Sequence, residues 1–166
     1  ADELRGELEE RGSIFQSTVD SEVIIHLIAA STADTLIGRI VDALSQVRGA
    51  YSLVFLTEDR IIAARDPHGF RPLVLGRVGE AVVIASETCA LDLVDAVYER
   101  EIEPGEIVSV SARGVESLHP FPRSPSHHCV FEYVYFARPD TRLFGRNVYE
   151  VRKAFDEADL SRLRSD

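Results

Sequence analysis

Asp20, Cys89 and Cys129 are the side chains whose type and setting could do chemistry here. Cys89 lies in Ser86-Glu-Thr-Cys-Ala90, where an apolar strand gives way to a helix, with Ser86 or Thr88 as the expected N-cap. A helix start can lower a thiol pKa and make a nucleophile. The flanking sequence supplies no base, so Cys89 reads as a small core residue. Cys129 follows His127-His128, which invites a metal. Neighbours on a strand point opposite ways and zinc-type spacing is absent, which disfavours one shared ion. Asp20 sits in Gln16-Ser-Thr-Val-Asp-Ser-Glu22, before a helical apolar pattern. A carboxylate there either caps the helix or presents an oxygen to an ammonium group, and its two oxygens allow both. His26, His68 and His119 are scattered singly and read as structural or solvated. No glycine-rich phosphate loop, serine elbow or carboxylate pair stands out.

These residues must be held by helices first and strands afterwards. Leu4 and Leu8 stripe a short helix over residues 2–11 that Gly12 ends as a left-handed cap. After an extended piece, Asp20 or Ser21 starts a helix burying Val23, Ile24, Leu27 and Ile28. A third helix, residues 35–47, buries Leu36, Ile37, Ile40, Val41 and Leu44. Strands are expected at 51–56, 60–64, 73–75, 81–85, 107–110 and 115–118, with a helix at 89–97. Turn signals such as Asp66-Pro-His-Gly69 and Pro104-Gly-Glu106 separate them. The loop carrying Arg65, Asp66 and Arg71 invites local ion pairs. Residues 129–137 read as an aromatic strand, 120–125 as an irregular proline-rich stretch and 147–166 as a charged helix. Helices gathered ahead of antiparallel hairpins give an α+β class.

Bulk properties narrow the function. With 166 residues the chain can bury one good core, and a net charge of −10 disfavours nucleic acid or an anionic membrane as partner. No apolar run approaches the roughly 20 residues of a membrane span. Two cysteines form no disulfide framework, which points to a reducing cytoplasm. Methionine is absent even at position 1, so a segment of a longer polypeptide is expected.

Three stretches carry a resemblance: Arg65-Asp-Pro-His-Gly-Phe-Arg-Pro-Leu73, Ser86-Glu-Thr-Cys-Ala90 and Cys129-Val-Phe-Glu-Tyr-Val-Tyr-Phe-Ala-Arg-Pro-Asp140. Together they resemble the glutaminase half of the amidophosphoribosyltransferase family, a branch of the type II glutamine amidotransferases. Gly49-Ala-Tyr-Ser-Leu-Val54 and Glu103-Pro-Gly-Glu106 match it too, and residues 155–166 depart from it. The resemblance implies a partial four-layer αββα fold of the Ntn-hydrolase type with antiparallel sheets. It implies an incomplete amidotransferase domain over 1–137 and, over 138–166, a junction leading towards a phosphoribosyltransferase domain.

The implied reaction moves the glutamine amide nitrogen to phosphoribosyl pyrophosphate, giving 5-phosphoribosylamine at the first committed step of purine synthesis. Asp20 is the implied ligand of the glutamine α-amino group. Cys129 is one of four iron–sulfur ligands in members that carry a cluster, and magnesium belongs to the phosphoribosyltransferase domain. A homo-oligomer is implied for the full-length protein. No catalytic residue carries over. The family's nucleophile is an N-terminal cysteine and its oxyanion site an Asn-Gly pair, whereas residue 1 is Ala and no Asn-Gly occurs. The isolated chain is therefore expected to be inactive. The alternatives are another type II amidotransferase, such as one forming glucosamine phosphate, a non-catalytic glutamine-binding module, and an inert segment exposing strand edges.

Overall fold

The computed structural model describes residues 2–163, and the side chains of residues 2–157. The described residues divide into two compact units, with the boundary between Gly49 and Ala50.

The first unit is helical: α1 (Asp2–Glu10), α2 (Ser21–Ala30) and α3 (Leu36–Gln46). Helical spacing brings Leu8, Val23, Leu27 and Ala43 into one buried cluster, with Leu4, Phe15, Ile28 and Val47 packed against it. Gly12 ends α1 as expected, with φ +92° and its amide bonded to the Glu9 carbonyl at 2.9 Å. Thr35 caps α3, its hydroxyl accepting from the Gly38 amide at 3.0 Å.

The second unit is built on two antiparallel sheets. One has the order β1-β2-β6-β7, from Ser52–Leu56, Arg60–Arg65, Ile107–Ser111 and Gly114–Leu118. The other has the order β4-β3-β5, from Ala81–Ala85, Val74–Val78 and Val97–Glu101. The period of two sorts the side chains between layers. Leu75, Val82 and Ile84 join Ala63, Val108, Val110 and Val115 in one cluster between the sheets. Val74, Val83 and Ala85 face the other way and pack with Leu91 of helix α4 (Thr88–Asp92). The mixture of helices and paired antiparallel sheets is the expected α+β class.

Two expected elements differ. The helix over 89–97 stops at Asp92 and Val97 opens β5, a strand whose charged Glu99–Glu101 hid its period. The aromatic strand over 129–137 is instead a π-helical turn, Glu132–Phe136. Its Ala137 amide bonds the Glu132 carbonyl at 3.0 Å, and those two residues, five apart, are the buried ones. A two-residue hairpin, β8 (Arg142–Leu143) with β9 (Arg146–Asn147), then leads into α5 (Val148–Leu163). The expected tail helix is described to residue 163, and its last three residues lie outside the described part.

Candidate functional site

In the helical unit Asp20 opens α2 with helical φ and ψ of −63° and −32°, and its side chain makes no capping hydrogen bond. The capping role weighed for it is therefore absent, and its exposed carboxylate is not used by the helix it begins. The carboxylate that organises this loop belongs to Glu22. Its Oε1 accepts from the Gln16 amide at 2.8 Å. Its Oε2 accepts from the Ser17 amide at 2.9 Å and the Ser17 hydroxyl at 2.6 Å. The Gln16 amide and the Ser17 hydroxyl pull its pKa down to about 2, helped by the Ser17 amide and the charge of Arg5. Sequence reasoning missed Glu22 in this role. An acidic residue in a first helical turn is an ordinary dipole partner, and nothing local shows it reaching back six residues.

In the second unit the three recognised stretches are joined by polar contacts, some part-buried and some exposed. Arg65 is almost wholly buried. Its guanidinium donates to the carbonyls of Arg71 at 2.9 Å, Ile102 at 2.5 Å and Gly69 at 3.2 Å, and lies 3.4 Å from Glu101. The Asp66 carboxylate accepts from the amides of His68 at 2.9 Å and Phe70 at 3.1 Å. The loop is thus fixed by backbone bonds, not by the expected pairing of its own charges. Arg71 reaches out instead, pairing with buried Glu132 and lying 4.4 Å over the Phe136 ring.

Glu87 ties the second stretch to the third. Its Oε2 accepts from the Arg138 amide and the Thr141 hydroxyl, both at 2.9 Å, while the Thr88 hydroxyl accepts from the Arg142 amide at 2.9 Å. Thr88 therefore does not cap α4, and the cap position belongs to Glu87. Arg152 of α5 closes the network, donating to the carbonyls of Tyr133 at 2.5 Å and Ala137 at 2.8 Å.

Both cysteines are free thiols held by different partners. Cys89 is buried, its sulfur 3.6 Å from Glu87 Oε2, and burial followed by the Glu87 charge pushes its pKa up despite a lowering contact from Thr141. Such a thiol is a poor nucleophile at neutral pH. Cys129 is half-buried and its amide donates to the Phe70 carbonyl at 3.2 Å. Among the described residues no group of three or more His, Cys, Asp and Glu side chains could hold a metal ion. The residues present therefore do not make an iron–sulfur site by themselves. No described helix is long and apolar enough to cross a membrane.

A family model described as "Glutamine amidotransferase domain" matches residues 1–93. The chain belongs to this glutamine amidotransferase family. The similarity runs on beyond residue 93. The chain is 54% identical over 155 residues to amidophosphoribosyltransferase 2, chloroplastic, of Arabidopsis thaliana, covering 93% of this chain and 28% of that protein. It is 45% identical to the amidophosphoribosyltransferase of Bacillus subtilis over 153 residues, 92% of this chain and 32% of the relative. The solved glutamine phosphoribosylpyrophosphate amidotransferase of B. subtilis, complexed with ADP and GMP, superposes with a TM-score of 0.90 at 45% identity, over 92% of this chain and 33% of that one. The chain thus spans about a third of these relatives. A class II glutamine amidotransferase domain protein of Silicibacter pomeroyi, 17% identical over 73% of this chain and 61% of that one with a TM-score of 0.51, shares the fold alone.

Proposed function

We propose that this chain is the glutamine-binding part of an amidophosphoribosyltransferase. That enzyme would transfer the glutamine amide nitrogen to phosphoribosyl pyrophosphate, giving 5-phosphoribosylamine for purine synthesis. The observation carrying the proposal is that 54% identity covers 93% of the chain, whereas the general amidotransferase model ends at residue 93. The stretch that ties the resemblance to this branch, Tyr133–Asp140 with Gly145, Asn147 and Arg152, is also where Glu87 binds the Arg138 amide and Arg152 binds the Tyr133 and Ala137 carbonyls.

Within that reading Asp20 binds the glutamine α-amino group. An exposed carboxylate with no bond to its own helix is free to accept charge-assisted hydrogen bonds from an ammonium. Residues 138–166 form the proposed junction to a phosphoribosyltransferase domain, where magnesium and phosphoribosyl pyrophosphate would bind. Cys129 is the residue a cluster would use, with three thiolates from outside this chain. A homo-oligomer is proposed for the full-length protein. The compartment proposed is the cytoplasm; the names of the plant relatives make the chloroplast the alternative. These 166 residues alone are proposed to be inactive, because they hold no Asn-Gly pair for the oxyanion and Cys89 is buried with its pKa raised.

Disrupting the gene in its source organism tests the function. A growth requirement met by adenine or hypoxanthine is the expected result. A requirement met by glucosamine would instead favour the sugar-forming amidotransferase, and normal growth without either would favour the binding module.

A further inference from the structure

We propose that Glu22 is a positioning residue, holding the Ser17–Asp20 turn so that the Asp20 carboxylate is set for the ammonium group of glutamine. The proposal rests on the reading of Asp20 given above. Residues 16–20 are all exposed, so apolar burial does not fix this turn. It is fixed by polar contacts that converge on one group. Glu22 takes three hydrogen bonds, from the Gln16 amide and from the amide and hydroxyl of Ser17. The Ser17 hydroxyl in turn accepts from the Val19 amide at 3.2 Å, one residue before Asp20. Arg5 donates to the Ser17 carbonyl at 2.6 Å and lies 3.8 Å from Glu22. Its guanidinium covers the Phe15 ring at 4.2 Å.

Phe15 is anchored in turn by the His26 ring, 4.3 Å away. The backbone is therefore restrained at Gln16, Ser17 and Val19 on the way into Asp20, while the Asp20 side chain itself is left without a bond to its helix. Pre-setting a carboxylate in this way lowers the ordering cost of binding a small zwitterion.

The test is steady-state glutaminase kinetics of the full-length protein, with glutaramate, which is glutamine lacking its α-amino group, as a competitive inhibitor. Glu22→Ala should raise the glutamine KM about tenfold, leave kcat within about twofold and leave the glutaramate Ki unchanged. Glu22→Gln, which keeps one carbonyl acceptor for the loop, should recover part of the loss. An unchanged KM in Glu22→Ala, beside a raised KM in Asp20→Ala, would overturn this inference and leave Asp20 in place. Equal weakening of glutamine and glutaramate would overturn it as well, because Glu22 would then be merely structural. An unchanged KM in Asp20→Ala, or no glutamine turnover in the wild type, would remove the Asp20 reading itself and this inference with it.

Discussion

At the residue scale, the polar groups of the second unit bind backbone more than each other. Glu106, held mainly by other side chains, is an exception with an energetic consequence. It is almost fully buried and accepts four hydrogen bonds: two from Arg100 at 2.7 and 2.8 Å, one from the Ser117 hydroxyl and one from the Glu103 amide, both at 2.6 Å. Burial alone would raise its pKa, but the Arg100 pair and the other donors outweigh it and hold the carboxyl below its usual range. A depressed folded pKa means that the unfolded chain takes up the proton first as pH falls. The stability Glu106 contributes is therefore complete above the unfolded value of about 4.3 and is lost as pH drops through the lower folded value. Glu106→Gln should cost about 2–3 kcal/mol at pH 7, because Arg100 loses its charged partner. Urea titrations from pH 7 to pH 3 should show the wild type losing that advantage in acid, the two curves converging. A variant as stable as wild type at pH 7 would contradict this account.

At the element scale, what was legible depended on whether a signal was local. The apolar periods of α2, α3, β2 and β6 are short-range and the elements lie where expected. The π-helical turn was not legible, since Val130-Phe-Glu-Tyr-Val-Tyr-Phe136 has the composition of a strand. The turn is held by long-range partners: Arg71, 61 residues away, pairs with Glu132, and Arg152 takes the Tyr133 and Ala137 carbonyls. Asp20 is proposed for the site through resemblance, whereas Glu22 became visible only with the loop folded back on it. β3 carries a further long-range constraint at Gly76, beside a register shift against β5. A Cβ there would meet Leu91 Cδ1 and the Val97 carbonyl oxygen, each at 2.9 Å. Leu91 of α4 packs where a side chain would have been, and the carbonyl cannot rotate away. Gly76→Ala should destabilise the second unit by about 1–3 kcal/mol, read as a lower urea midpoint with unchanged slope. A neutral result would mean that α4 shifts freely on the sheet.

At the scale of the whole molecule, the second unit leaves much apolar surface outside its buried clusters. Val130, Phe131, Val134, Tyr135 and Phe136 are each more than half exposed, on and just before the π-helical turn. Among the described residues β1 pairs only with β2, leaving one edge open, and Val54 and Leu56 on it are 55% and 82% exposed. Open strand edges and contiguous apolar patches are sites of association, and natural proteins usually blunt them with charge, proline or a covering element. The net charge of −10 opposes association by repulsion between copies, but that repulsion is screened beyond about 8 Å at physiological salt while the apolar contacts are not. The 166-residue chain should therefore self-associate in a salt-promoted way at concentrations of about 100 µM, seen as a rising mass in light scattering as sodium chloride is added. Leu56→Lys with Tyr135→Lys should suppress it, since each places a charge on one of the two faces. A monodisperse wild type of 18.4 kDa in high salt would show that these faces do not drive association on their own.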